Sequence, residues 1–250
     1  MKIQLIGFDH GINSNQKRRI FEKVVNESDA DLVLFPGHTL RNENDIDYLC
    51  STIENHTTTV IFELKEADPT SCMHTNNELY IYQNGIFKDM YSSQIYATAD
   101  DIDKNENLME KLFDEIPRRS FVCCNKRITI LQCGETAMLE SLKKDHYKSQ
   151  FRFRDNNLLN KRFEHMLKST DIFLNPIHTI QGEQGIMMQR RIALSNDNRY
   201  YASTSSLDET MGGKFNCKRL QYVFYNGVEL NIEPEINAKM GYVVRAITIE

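Results

Sequence analysis

Apolar and polar positions along the chain alternate between two periods. Short apolar runs suited to buried strands are Lys2–Gly7, Asp31–Phe35 and Thr58–Glu63. Between them, Asn15–Glu27 carries Ile20, Phe21, Val24 and Val25 at helical spacing, and Ile46–Glu54 repeats the pattern with Leu49 and Ile53. Asn77–Tyr82 and Ile86–Tyr91 then flank Gln83-Asn84-Gly85, a hairpin signal because Asn and Gly tolerate positive φ. Asp100–Phe113 is polar and reads as helix or loop. The second half predicts a strand pair at Phe121–Cys124 and Arg127–Gln132, helices at Glu135–Lys144, Leu158–Lys168 and Gly185–Leu194, and strands at Asp171–Asn175 and Arg199–Thr204. Hairpin segments Gln221–Tyr225, Val228–Ile232 and Gly241–Ile249 close the chain. Strand–helix units mixed with antiparallel pairs predict an α/β fold with mixed sheets covered by helices. No linker or low-complexity tract interrupts residues 1–250, so one domain is the simplest organisation.

Composition narrows the functional classes. The net charge is -5, from 30 basic and 35 acidic residues, which gives no overall field favouring nucleic acid or an anionic membrane. No apolar run reaches the length of a membrane span, and Met1–Gly7 is too short for the apolar core of a signal peptide. The expected setting is soluble and cytoplasmic. The six cysteines (Cys50, Cys72, Cys123, Cys124, Cys133 and Cys217) form no C-x-x-C pair, so they read as free thiols. Neither a metal nor a cofactor is expected.

Four segments, in order, resemble the nitrilase (carbon–nitrogen hydrolase) superfamily. Asp31-Leu-Val-Leu-Phe-Pro36 resembles the strand that in the family ends in Phe-Pro-Glu. The hairpin through Asn84-Gly85, followed by Tyr91, is similar to the stretch that leads to the family's lysine. Arg127–Cys133, with Glu135 two residues on, resembles the strand bearing the nucleophilic cysteine. Asp171–Pro176, Arg190–Asn196 and Arg199–Thr204 resemble the strand, helix and strand that follow. The resemblance implies a nitrilase-like four-layer αββα sandwich that forms a homo-oligomer through its helical face. It also implies thioester chemistry at nonpeptide C–N bonds, with a glutamate base, a lysine and a second glutamate beside the cysteine. The chain departs from that set. Gly37 stands where the first glutamate is expected and Ser93 where the lysine is expected, while Glu106, Glu110 and Glu115 fit no motif for the second.

Other groups can be placed near Cys133. Side chains at the carboxyl ends of strands line the crevice of open α/β sheets, which brings His38, Cys133, Glu135 and His178 to neighbouring strand ends. Cys, His and carboxylate suffice for thiol catalysis on other folds. Each also has a plainer reading. A thiol closing an apolar strand packs well, each His can cap a loop, and Glu135 can favour a helix N-terminus. Arg191 and Ser93 are candidate substrate-binding residues, although Arg190 and Arg191 could equally pair with acidic helix neighbours.

The stretch Lys143–Lys168 holds eight basic and three acidic residues with interleaved aromatics. It suits a protein partner contacted by Lys148, Arg152 and Arg154, or a solvated helix pair burying Phe151, Phe153 and Phe163 in its own core. Nucleic acid is the least favoured occupant. With Gly37 and Ser93 read as losses, the sequence favours a non-hydrolytic scaffold, assembly or ligand-sensing module. The alternative is an active thiol amidohydrolase with Cys133 as nucleophile and His178 or His38 as base.

Overall fold

The computed structural model describes residues 1–9, 11–65, 77–142, 148–179, 184–207 and 219–250. Its first strands, β1 (Lys2–Phe8), β2 (Leu32–Leu34), β3 (Thr59–Lys65), β4 (Asn77–Gln83) and β5 (Ile86–Ser93), lie side by side in sequence order. The first three run parallel, and the last two add antiparallel. The second row holds β6 (Ser120–Cys123), β7 (Lys126–Ile130), β10 (Ile172–Thr179), β11 (Tyr200–Ser206), β12 (Gln221–Tyr225) and β13 (Val228–Glu229), in that order. Within it β7, β10 and β11 are parallel. Strands β8 (Leu139–Ser141) and β9 (Ser149–Phe151) form a separate pair, and β14 (Glu235–Asn237) leads to β15 (Tyr242–Thr248). Strand β15 pairs with the whole of β1, so the two ends of the chain lie together in the first row. The two rows meet at one bridged pair, Phe8 with Ser206.

Side-chain alternation turns these rows into four layers. Ile3, Leu5, Leu32, Leu34, Ile61, Leu79 and Ile81 from the first row pack with Ile128, Ile130, Ile172, Leu174, Ala202 and Val223 from the second. The intervening residues face outward. Val33, Phe35, Val60, Phe62, Tyr80 and Tyr82 pack under Ile20, Phe21, Val24 and Val25 of α1 (Ser14–Glu27) and Ile46 and Leu49 of α2 (Glu43–Thr52). Ile102 of α3 (Ala99–Lys104) and Met109, Leu112 and Phe113 of α4 (Asn107–Glu115) join a second outer core. That core also holds Leu159, Phe163 and Met166 of α5 (Asn157–Lys168), Leu194 of α6 (Gln184–Ser195), and Leu131, Phe173, Tyr201 and Phe224 from the second row. Period-two burial on both sheets, with one helical layer outside each, is the αββα sandwich expected from the sequence.

Local signals explain most elements. Asn13 caps α1: its side chain accepts from the Gln16 backbone N–H at 3.0 Å, and the Gln16 side chain accepts in return from the Asn13 N–H at 3.0 Å. Asn84 and Gly85 take positive φ in the β4–β5 turn, as the hairpin signal requires. Asp100–Phe113 resolves into two short helices. One expectation is corrected. The helix read over Glu135–Lys144 is a 3₁₀ turn at Cys133–Met138 followed by β8, and residues 143–147 lie outside the described residues. Tertiary contact overrides propensity there, since Ala137, Met138 and Leu139 are all drawn into the second outer core. Among the described residues no helix is long and apolar enough to cross a membrane.

Leu174→Ala in the central layer is expected to lower unfolding free energy by about 2–5 kcal/mol, the range for cavities in packed cores. Leu158→Ala on the exposed face of α5 should change it by less than about 0.5 kcal/mol. Urea denaturation of both variants checks the difference, and equal losses would contradict the layer assignment.

Candidate functional site

The parallel strands of both rows end at the same rim of the sandwich, and polar side chains gather there. Glu63 of β3 and Asn77, the first residue of β4, come from one sheet, while Gln132 and Cys133 follow β7 and His178 stands near the end of β10. Both sheets therefore contribute to one cluster.

Glu63 is its centre. The carboxyl is fully buried, with Oε2 at 2.7 Å from His178 Nε2 and Oε1 accepting from Gln132 Nε2 at 2.9 Å. Burial alone pushes its pKa up. The His178 charge and hydrogen bond, the His38 ring and the Gln132 amide more than offset that, and hold it below the usual carboxylate range. His178 is shifted the other way. Its burial disfavours the cation, but the Glu63 carboxylate and the Cys133 thiol, both charge and hydrogen-bond partners, raise it to about 10. The ring is thus an imidazolium at neutral pH, held against the Glu63 carboxylate.

His38 stacks on His178 with ring centroids 3.8 Å apart and planes 15° from parallel. Burial and the neighbouring His178 charge lower its pKa to about 3, so it is the neutral ring of the pair. Its Nε2 lies 2.6 Å from Asn77 Oδ1, and its carbonyl accepts from Lys17 Nζ at 3.0 Å. The Asn77 amide nitrogen lies 3.1 Å from His178 Nε2, so one amide spans both ring nitrogens.

Gly37 explains how this cluster fits. A Cβ built there would lie 1.9 Å from His178 Cδ2 and 2.9 Å from Glu63 Oε2. No side chain can occupy that position while His178 holds its place. The glutamate suggested by the family resemblance and the imidazole observed here compete for the same space, and the carboxylate arrives instead from Glu63, one strand over.

Glu135 does a different job. It is fully buried, its Oε1 accepts from the Ile95 N–H at 2.8 Å, and its Oε2 accepts from the Gln132 N–H at 2.8 Å and from Arg119. Burial raises its pKa, with Arg119 and the two backbone donors opposing. Both oxygens are occupied, so Glu135 fixes the turn that carries Cys133. The Arg119 guanidinium, also fully buried, donates to Ser92 Oγ at 2.6 Å and to the Ser93 carbonyl at 2.5 Å. Ser93 enters this network through its backbone. A cation has therefore come to the Ser93 position from a distant segment, where it serves the buried pair. Gly134 closes the turn, because a Cβ there would lie 1.8 Å from the Ala97 carbonyl oxygen.

The other sequence candidates lie apart from this cluster's hydrogen bonds. Arg191 is buried with its guanidinium 3.7 Å from the centre of the Tyr222 ring. Arg152 donates to Asp103 at 3.0 Å, Arg154 is exposed beside Asp155, and Lys148 is exposed. Phe151 stacks on Phe163 at 4.4 Å, and both belong to the second outer core together with Phe153. Cys50, Cys123, Cys124 and Cys133 are free thiols, whereas Cys72 and Cys217 lie outside the described residues. Glu63, Asn77, Arg119 and Gln132 were not singled out from the sequence. Glu63 ends the strand Thr58–Glu63, and the same strand-end rule that selected His38 and His178 points to it.

No protein-family model matches the sequence, and no curated protein does. Solved structures do share the fold. An amidase from Nesterenkonia sp. superposes with a TM-score of 0.52 at 10% identity, covering 99% of this chain and 90% of the amidase. The NitN amidase from Neterenkonia sp. AN1 gives 0.53 at 10% identity over 98% and 92% of the two chains. A CN-hydrolase superfamily protein from Xanthomonas campestris, with an arsenic adduct in its active site, gives 0.53 at 11% identity over 99% and 90%. The chain therefore has the nitrilase-like fold.

Two substitutions probe the arrangement. Arg119→Leu strands a buried carboxylate and is expected to cost about 3–5 kcal/mol, whereas Arg127→Leu at the exposed pair with Asp171 should cost no more than about 1 kcal/mol. Chemical denaturation reads both. Gly37→Ala should evict His178 from Glu63, which would appear in NMR as loss of the downfield, hydrogen-bonded Nε2–H resonance. An unchanged resonance would place the ring elsewhere.

Proposed function

We propose that the chain is a thiol-dependent hydrolase of amide-type, nonpeptide C–N bonds, with Cys133 as nucleophile, His178 as its proton-transfer partner and Glu63 as the group that orients and charges the imidazole. One observation carries this reading: the buried Glu63 carboxylate holds the His178 ring at 2.7 Å on the rim where Cys133 follows β7, and the Cys133 thiol is among the groups that raise the pKa of that ring. That is the Cys–His–acid order of nucleophilic catalysis, met on unrelated folds and recognised by geometry. The fold shared with two amidases supports the same reaction class.

In the reaction proposed, the Cys133 sulfur attacks the acyl carbon as thiolate beside the imidazolium. The tetrahedral adduct collapses, the C–N bond breaks, and His178 gives its proton to the departing nitrogen. Neutral His178 then takes a proton from water, whose oxygen attacks the thioester. The acid is released, and sulfur and imidazolium are restored. Glu63 stays ionised throughout and stabilises the imidazolium, the role of the acid in such triads. The loss of the expected Glu at Gly37, which in the sequence favours a non-hydrolytic scaffold, becomes in this reading a condition for seating His178.

Alkylation with iodoacetamide, followed by peptide mass spectrometry, tests the proposal. Cys133 should label ahead of Cys50 and Cys123, whose thiols burial pushes upward, Cys123 to about 11. His178→Ala should slow labelling of Cys133 by about 10²-fold or more, the usual worth of a positioned base. Glu63→Gln should slow it in the same direction. Slow, uniform labelling of all the cysteines, unaltered by either variant, would reject the reading and return the chain to the scaffold class.

A further inference from the structure

The thiol reaction uses His178 and Glu63 but has no need of His38, yet His38 is brought into the same cluster. One ring nitrogen of His38, one of His178 and a Glu63 carboxylate oxygen all lie within 4.8 Å of one another. The three donors come from the ends of three different strands, which is why no metal-ligand spacing shows in the sequence. The stacked rings turn both Nε2 atoms toward the single Asn77 amide, at 2.6 and 3.1 Å. Two imidazoles and one carboxylate on a shared point form a borderline-soft donor set suited to zinc-class ions, and three protein ligands leave a position open.

We propose that His38, His178 and Glu63 form a binding site for a zinc-class divalent cation, and that occupation of this site blocks the thiol chemistry of Cys133. Zinc–nitrogen bonds of about 2.0–2.1 Å lie in the plane of each imidazole, so binding requires the His38 ring to turn out of its stack on His178. The Glu63–His178 contact, at 2.7 Å, opens slightly to admit the ion, and the Asn77 amide turns aside. The ion takes the place of the proton shared between His178 and Glu63, which passes to solvent. The buried carboxylate keeps a positive partner, so the exchange does not leave its charge uncompensated. The imidazole, however, can no longer exchange a proton with sulfur. Cation binding stands on the three donors alone, while the blocking effect rests on the thiol-hydrolase reading.

The test uses the full chain stripped with EDTA. Zn²⁺ binding is measured by competition with a chromophoric chelator, and Co²⁺ absorption reports the ligand set. One equivalent is expected. His38→Asn keeps a residue type that tolerates the positive φ at position 38 and removes the imidazole. It should weaken binding by at least about tenfold, since loss of even an outer partner costs that much. Cys133→Ser should still bind one equivalent, which separates the cation site from the thiol reaction. Absence of saturable binding would overturn the proposal. So would equal affinity in the His38→Asn and His178→Ala variants and the parent chain, or loss of binding in Cys133→Ser alone, which would put the ion on sulfur. In metal-free protein, fast Cys133 alkylation that one equivalent of Zn²⁺ suppresses supports the block. Zinc binding as expected, alongside slow alkylation in metal-free protein, would keep the site and reject the thiol-hydrolase reading with its block.

Discussion

A carboxylate sealed from water must find positive charge and hydrogen-bond donors or take up a proton, and Glu63 finds both in His178 and Gln132. Much of the rim follows from that one requirement. The imidazole has to reach across from the second sheet, so the space beside it must be empty, and Gly37 leaves it empty. Gln132 has to turn its amide toward Glu63, so the residue before the thiol is spent on support, its Nε2 donating also to the Asn77 carbonyl. Asn77 and His38 then fill the remaining side of the ring.

A second buried pair stands behind the first and does not take part in it. Arg119 and Glu135 tie together the end of β5, the segment at Ile95 and the turn bearing Cys133, and the Tyr96 hydroxyl donates to the Glu135 carbonyl at 2.9 Å. Buried ion pairs are poor sources of net stability but strong sources of geometric definition once their remaining hydrogen-bonding positions are met. Here that definition is delivered to a six-residue 3₁₀ turn, which has little regular hydrogen bonding of its own to keep a thiol in place.

Much of this was legible in the sequence, and the rest was hidden for identifiable reasons. Strands and helices follow from period-two and helical patterns, the four-layer arrangement follows only from the family resemblance, and the strand-end rule points to His38, Cys133 and His178 at neighbouring strand ends. Gly37 reads in the sequence as a missing acid, and the sequence holds no sign of the His178 ring that fills its space. At Ser93 the cation that reaches the backbone, Arg119, lies in an Arg118-Arg119 run that resembles solvated surface. Glu135 was assigned by proximity in sequence, whereas its partners are up to 40 residues away. The helix read over Glu135–Lys144 had the right composition, but contacts from α3 to α6 and the Ala97 backbone decide the shape of that segment.

The sheets that supply the cluster share one bridged pair, Phe8 with Ser206, and a few polar ties such as the Gly37 N–H to the Ile177 carbonyl at 3.1 Å. Apolar contact supplies most of what sets their relative position, and that force does not specify direction. Acid and imidazole thus belong to opposite halves of a laminate, and their separation measures how those halves are aligned. A slip of an ångström in the greasy middle, far from the rim, would part Glu63 from His178 without touching either residue. Conversely, whatever clamps the two together would stiffen the entire sandwich.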